Sequence, residues 1–380
     1  MNAHEAVKSL YLRAGRVVLD NKLLDAKWFV EQEINTWTDW MDVPVRRRLP
    51  LWRQGFLSPN IQLYDLENTD PEKYLSHLQA FRLYARANGD HRYLVDDKLS
   101  QHWMLADYPD SRPTAHGLLD RGYVHGVAGT ELDADAVAIE DWLPETLEAE
   151  SRLVLKQLRG EGGNQVIVCS HDTDGYRIDG EPVDEAELCE QLEPLSSYLV
   201  SAYVDQHDYA AELYPDSPNT IRILTVWDDE TDDLYVPAAC QRIGTDSSRP
   251  VDNFGAGGIA ANLDVETGVL GQAVQYPFGG SVSRFENHPN TGERIVGVSI
   301  PHWDRIRTTV EEIARDNTNI PIIGWDVLLS ESGEPTIIEA NTGTHLDVLQ
   351  AHRPLLADPD VTRVVSRYLP EVQYQAAPAP

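Results

Sequence analysis

The sequence predicts an α+β fold: a mainly helical N-terminal region followed by a β-rich part. Two observations carry this reading. Apolar residues recur at helical spacing through about the first ninety positions. From about residue 91 the texture changes to short β-rich runs separated by turns. The expected division sets off 1–90 as the helical region and 371–380 as a disordered tail.

In chain order, AVKSLYLRAGRVVLDNKLLDAKWFVEQEINTWTDW reads as helical, and Gly55 and Pro59 break the pattern that follows. DPEKYLSHLQAFRLYARANGD reads as a helix with Asp70 as N-cap and Pro71 at its first position. RLVLKQL (152–158) and QVIVCS (165–170) read as strands about a glycine-rich turn, and DEAELCEQLEPL as a helix. SSYLVSAYV (196–204) is a further strand. TIRILTVW, LYVPAACQRI and GIAANLDVETGVLG suggest an antiparallel meander. HWDRIRTTVEEIARDNT is a helix, and GWDVLLS with PTIIEAN forms a hairpin about Ser332-Gly333.

Composition excludes several function classes. No run approaches the ~18–20 apolar residues needed to span a bilayer, so stable membrane insertion is not expected. The charged N-terminus lacks an apolar signal core, which leads to the expectation of a cytoplasmic protein. Cys169, Cys189 and Cys240 show no metal-ligand spacing. The formal charge of −31 argues against nucleic acid as a partner, because phosphate backbones require a basic surface. Lysine occurs only at 8, 22, 27, 73, 98 and 156. An acidic, lysine-poor surface fits a halophilic setting, where salt screens self-repulsion.

Three constellations carry chemistry. In LVLKQLRGEGGNQVIV, Lys156 ends a strand and Gly160, Gly162 and Gly163 follow in the turn. Glycines let backbone N–H groups approach phosphate oxygens, and the lysine adds a point charge. A flexible hairpin tip would look the same. In GWDVLLSESGEPTIIEANTGTH, a two-residue turn at Ser332-Gly333 sets Asp326 opposite Glu339, with Asn341 on the same face as Glu339. Opposed carboxylates repel, and an oxygen-only set suits Mg²⁺ held jointly with substrate phosphates. The alternative is a solvated face whose acids have arginine partners. Between these motifs lie Arg222, Arg242 and the glycine-rich DNFGAGGIA. Strand arginines could stabilise charge on a transferring phosphoryl group, or make surface ion pairs. His207, His302 and His345 each lie near a motif but form no readable triad.

The phrases LWRQGF, DDKL, KQLRGEGG, YVDQH, NTIRILT, DNFGAGGIAANLD, HPNTGERIVGVSIPHW and GWDVLL…IIEANTGTHLD resemble the ATP-grasp superfamily. Within it the sequence is most similar to the sugar-transfer-associated group, related to α-L-glutamate ligase-like proteins. The resemblance implies two α/β lobes gripping ATP, residues 91–200 with the glycine-rich phosphate loop and 201–370 with the metal site. Lys98 and Lys156 would reach the phosphates under the flap Gly160–Gly163. The strand carrying Ser201 and Tyr203 would read adenine through its backbone, and Asp208 would hold the ribose. Arg222 and Arg242 would face phosphates or substrate, while Asp326, Glu339 and Asn341 would hold Mg²⁺. Ser201-Ala202 stands where acidic hinge residues are usual, and Gln157 replaces a frequent proline.

The implied activity is an ATP-dependent ligase that activates a carboxylate as an acylphosphate and joins it to an amine. Its substrates would be small or sugar-linked molecules in polysaccharide or sugar-conjugate biosynthesis. A kinase on the same fold, or a non-catalytic ATP-binding module, is the alternative.

Overall fold

The computed structural model describes residues 22–35, 44–132, 135–160, 166–277 and 282–374. It has the expected α+β architecture and divides into two compact units. One comprises Met1–Arg86, Val274–Arg284 and His345–Pro380; the other comprises Ala87–Ala273 and Phe285–Thr344. Most of the expected N-terminal helix before residue 22, Gly162, Gly163 and the tail from residue 375 lie outside the described residues.

The first unit is helical. Asp70 accepts from the Glu72 N–H as expected, but it caps only the 3₁₀ turn Pro71–Lys73. The main helix starts later, at His77–Ala87. Its start is set by Ser76 and Gln79: the Ser76 N–H donates to Gln79 Oε1 (2.9 Å), and the Gln79 N–H to Ser76 Oγ (3.3 Å). This reciprocal capping box is written in the sequence as S-x-x-Q. The segment after residue 344 returns to these helices. Gln350 brackets Leu75, accepting its N–H (2.9 Å) and donating to its C=O (2.9 Å). Arg86 donates to the Tyr368 carbonyl (2.7 Å).

Two antiparallel sheets belong to the second unit, apart from Val274, Gln275 and Arg284 at the ends of two strands. The strands of the first are β1 (Ala115–Asp120), β2 (Tyr123–His125), β3 (Val137–Ala138), β4 (Arg152–Gln157), β5 (Val166–Asp172), β6 (Gly175–Ile178), β7 (Glu181–Val183) and β8 (Tyr198–Ala202). Their spatial order is β3-β2-β1-β8-β4-β5-β6-β7. Helices Ile139–Glu150 and Glu185–Leu192 bury Leu143, Leu147, Leu188 and Leu192 in the same cluster as Leu153, Leu155 and Val200. The second helix begins in a capping box of Asp184 and Glu187.

The second sheet contains β9 (Ile221–Asp228), β10 (Asp233–Ile243), β11 (Ile259–Leu263), β12 (Leu270–Gln275), β13 (Arg284–Phe285), β14 (Ile322–Leu329) and β15 (Pro335–Asn341). Its order is β13-β12-β11-β10-β9-β14-β15. The expected meander is present, with GIAANLDVETGVLG split into β11 and β12 by a turn at Asp264, which accepts the Glu266 and Thr267 N–H groups. Ile221, Ile223, Trp325 and Ile337 join Ile306, Val310 and Ile313 of helix Trp303–Asp316 in one core. Because side chains alternate across a strand, the residues between them point to the other face. That other face carries Arg222, Asp326 and Asn341.

The hairpin β14–β15 reaches its expected pairing by a different route. Ser330 N–H donates to the Glu334 carbonyl (3.0 Å), so the loop has three residues, with Gly333 at φ +81°. Near the turn Leu329 therefore pairs with Pro335, one residue off the expected register. A bulge between Asp326 and Val327 restores it, and Asp326 lies opposite Glu339.

Candidate active site

The site is a row of side chains along one face of the second sheet. Asp326 on β14 lies directly opposite Arg222 on β9 and Glu339 on β15. Direct cross-strand neighbours present their side chains to the same face, so the row follows from register alone. Arg242, two residues beyond the partner of Arg222 on β10, and Asn341, two beyond Glu339, extend it.

Asp326 is buried and held from several sides. Arg222 grips it in a fork, Nε to Oδ1 at 2.5 Å and Nη2 to Oδ2 at 2.9 Å. Arg242 Nη1 donates to Oδ2 at 3.0 Å. Asn341 Nδ2 stands 3.5 Å from the same oxygen. Burial pushes the Asp326 carboxyl pKa up, but Arg222 and Arg242 more than reverse this and hold it below the usual range. The repulsion expected between Asp326 and Glu339 is thus relieved by arginine and lysine counterions. The arginine partners weighed from sequence are present, on a buried face rather than a solvated one.

Each arginine is itself positioned. Arg222 Nη1 donates to Thr344 Oγ1 at 2.6 Å. Thr344 can sit there only because residue 324 is glycine: a Cβ at Gly324 would meet Thr344 Oγ1 at 2.3 Å. Arg242 also pairs with the buried Asp252, which accepts from the Thr220 N–H (2.8 Å) and hydroxyl (2.5 Å). Arg242 Nε is buried without a hydrogen-bond partner. Burial lowers the Arg242 pKa, and Asp252 and Asp326 raise it well above its ordinary value.

The other end of the row is looser. Lys98 Nζ donates to Glu339 Oε1 (2.9 Å) and to the Gly160 carbonyl (3.1 Å). Lys98 opens helix Lys98–Met104, capped by Asp97, which accepts the Ser100 N–H. Its own N–H donates to Leu158 at the end of β4 (3.0 Å), and Gln101 in the same helix accepts the Ala340 N–H (3.1 Å). Lys156 on β4 points to the bulged segment of β15, its Nζ 3.5 Å from the Ile338 carbonyl. Burial lowers the Lys156 pKa to about 8; nearby Glu339 opposes the shift and Lys98 adds to it.

The structure therefore brings together Lys98, Lys156, Gly160, Arg222, Arg242, Asp326, Glu339 and Asn341. Four cations face Asp252, Asp326 and Glu339, a net positive cluster in a chain of charge −31. Gly160 contributes its carbonyl to Lys98; Gly162 and Gly163 lie outside the described residues. No hydrogen bond or ion pair joins Ser201, Tyr203 or Asp208 to these side chains. Ser201 is buried on β8, its hydroxyl 3.4 Å from the Val154 carbonyl. The Ala202 N–H is taken by Thr114 and the Tyr203 N–H by Arg152. Arg152 also stacks on the Tyr203 ring at 4.4 Å. Adenine reading by the N–H groups of these two residues would require those bonds to break. Asp208 begins the short helix Asp208–Leu213 behind the N-cap His207.

Thr344, Gly324 and the counterion role of Asp252 are invisible to motif reading. Thr344 follows Asn341 by three residues, and nothing local says that it returns over Gly324.

The donor set near Glu339 fits magnesium. It is oxygen-rich, and Glu339 is held through Oε1 alone, with 30% of its side chain exposed, against 6% for Asp326. One or two carboxylates together with phosphate oxygens are what Mg²⁺ takes.

Residues 81–356, more than half of the chain, match the family described as sugar-transfer associated ATP-grasp. No curated protein matches in sequence. Solved structures similar to the chain include N5-carboxyaminoimidazole ribonucleotide synthetase from Thermotoga maritima, at 10% identity and TM-score 0.35, covering 72% of this chain and 49% of that one. A biotin carboxylase from Campylobacter jejuni aligns at 12% identity and TM-score 0.39, covering 75% and 48%. An L-amino acid ligase from Bacillus licheniformis aligns at 12% identity and TM-score 0.31, covering 66% and 40%. The chain spans about half the length of these proteins or less. Among the described residues no helix is long and apolar enough to cross a membrane.

Proposed function

Because the chain belongs to the sugar-transfer-associated ATP-grasp family, we propose that it binds Mg-ATP on the row from Lys98 to Arg242 and uses it to activate a carboxylate for joining to an amine. The observation that carries this reading is the concentration of four cations beside a half-open carboxylate in a strongly acidic chain. Such a cluster is a place for phosphates, since an acidic surface elsewhere repels them.

Lys98 and Lys156 face the Glu339 end and would take the phosphate oxygens. Glu339, Asp326 and Asn341 would hold magnesium, which when bound neutralises charge on the phosphates. Arg222 is fully engaged with Asp326 and Thr344, so its role is to fix Asp326 and the local field. Arg242 keeps Nε as a spare buried donor and is the arginine placed to meet the transferring phosphoryl group or the acceptor. In the proposed reaction a carboxylate oxygen of the substrate attacks the γ-phosphorus. The bond to the β–γ bridging oxygen breaks and ADP leaves with that electron pair. The amine then attacks the acyl carbon, inorganic phosphate departs, and a proton is lost from nitrogen. Family context directs the search for substrates toward sugar-linked carboxylates and amines in the cytoplasm.

Hydroxylamine tests the acyl donor. Enzyme, Mg-ATP and a pool of carboxylates that includes glutamate and uronic acids are incubated in high salt, with Glu339→Gln as the blank. Carboxylate-dependent ADP release with matching hydroxamate supports the ligase. Stoichiometric phosphorylation of a hydroxyl without hydroxamate overturns it in favour of a kinase. Tight ATP binding with no ADP release from any acceptor overturns it in favour of a binding module.

A further inference from the structure

Away from this row, His116, Glu131 and Glu150 converge from three separate elements. Their ligand atoms all lie within 4.8 Å of one another. His116 is on β1, Glu131 is in the loop after β2, and Glu150 ends helix Ile139–Glu150. We propose that these three side chains form a second cation site, selective for a divalent transition ion such as Zn²⁺ over Mg²⁺.

The backbone builds this arrangement. The pairing of β1 with β8 shifts between Ala115 and Gly117, so His116 is the residue at a bulge. Bulges re-aim a side chain that a regular strand would direct elsewhere. The loop is then laced to the bulge: the Glu131 N–H donates to the Ala115 carbonyl (2.9 Å) and the Leu132 N–H to the His116 carbonyl (3.0 Å). Glu131 is thereby held in register beside the imidazole, with Oε2 2.9 Å from His116 Nδ1.

The trio holds more negative charge than its own imidazole can offset. His116 is only 4% exposed, and its Nδ1 faces Glu131. Two carboxylates approach each other with at most one positive charge between them. A cation at Nδ1 would meet the imidazole and both carboxylates together, with the ring proton on Nε2. The imidazole decides the metal class. Magnesium takes oxygen ligands and retains its water, whereas nitrogen with carboxylates suits zinc and its neighbours. Glu131 and Glu150 are accessible to solvent, which provides an entry path and room for water as a fourth ligand. The ion would clasp the loop and the helix end to the bulge, beside the Ala115–Ser201 pair of β1 and β8.

The test uses the whole chain with Zn²⁺, Co²⁺ and Mg²⁺, free of nucleotide. Binding is followed by calorimetry, and Co²⁺ coordination by its visible absorption. Glu131→Gln is the main variant, because its side chain is 61% exposed and the fold does not depend on it. Glu339→Gln controls for binding at the other site. The expected result is one equivalent of Zn²⁺ with wild-type affinity in Glu339→Gln. Affinity should fall more than about tenfold in Glu131→Gln, since even an indirect partner of a metal ligand is worth about 10–100-fold. Zinc should also raise Tm in the wild type but not in Glu131→Gln. Equal zinc affinity in wild type and Glu131→Gln, or zinc binding lost in Glu339→Gln alone, would overturn the proposal.

Discussion

The two carboxylates of the row differ in how they are held. Asp326 is enclosed by two arginines and an amide, and those arginines are fixed in turn by Thr344 and Asp252. Glu339 has one lysine on one oxygen and remains accessible. A carboxylate enclosed in this way is part of the protein's construction; removing it strands the cations around it. A carboxylate held at one atom can exchange its partner for a ligand. The two acids form one pair by register, but by environment Asp326 serves mainly as scaffold and would reach a metal only by loosening an arginine, whereas Glu339 can accept a ligand directly.

Breaking the scaffold end gives the largest expected effect. Asp326→Asn removes the charge shared by two buried guanidinium groups and should cost about 3–5 kcal/mol of stability, as for other broken buried pairs. Glu339→Gln should lose within about 1 kcal/mol, because its pair is partly solvated, while ATP turnover falls by orders of magnitude. Urea unfolding and ADP release on both variants measure this contrast. Equal stability losses would erase it.

Gly324→Ala probes the support beneath the scaffold. Its Cβ would overlap the Thr344 side chain and push the hydroxyl from Arg222. The expected cost is about 1–3 kcal/mol, with a fall in turnover rather than in ATP affinity. Wild-type kcat in this variant would show that Thr344 is not needed to place Arg222.

Lys156 offers a milder test at the acceptor end. With its pKa lowered to about 8, it loses charge within an accessible range. ATP affinity should weaken as pH rises through about 8, and Lys156→Arg should remove that limb. The stability term has the opposite sign. Between about pH 8 and the ordinary lysine value of 10.5, the unfolded chain binds more protons. The penalty for burying this charge is therefore complete below pH 8 and relieved as pH rises through that window. A flat affinity profile would mean that Lys156 does not meet phosphate.

Salt gives the smallest expected difference between the two ends. Screening of the −31 chain should raise Tm from dilute buffer to molar KCl. The Tm difference between wild type and Glu339→Gln should shrink with salt, while that for Asp326→Asn persists, because buried pairs are screened less. A Tm that falls with salt would contradict the halophilic reading.

Much of the row was legible in the sequence. A strand has a side-chain period of two, so Asp326, Glu339 and Asn341 could be placed from their numbers. The scarcity of lysine drew attention to Lys156 beside its glycines, and the family resemblance pointed to Lys98. The route was less legible. The loop is one residue longer than expected, and the bulge cancels that difference, because a bulge is a matter of ladder hydrogen bonding rather than of residue type.

The sequence by itself determined the α+β class, the strands that carry the row, the alternation that puts charge on one face, and the identity of the charged groups. These follow from local periodicity and backbone preference. Only the tertiary structure decided which charges pair: Arg222 and Arg242 with Asp326, Arg242 with Asp252, Lys98 with Glu339, and His116 with Glu131. Each pairing depends on strand register and loop return across many intervening residues. A distance of a few ångströms between such atoms is fixed by how the whole sheet closes, and no local stretch of sequence carries it.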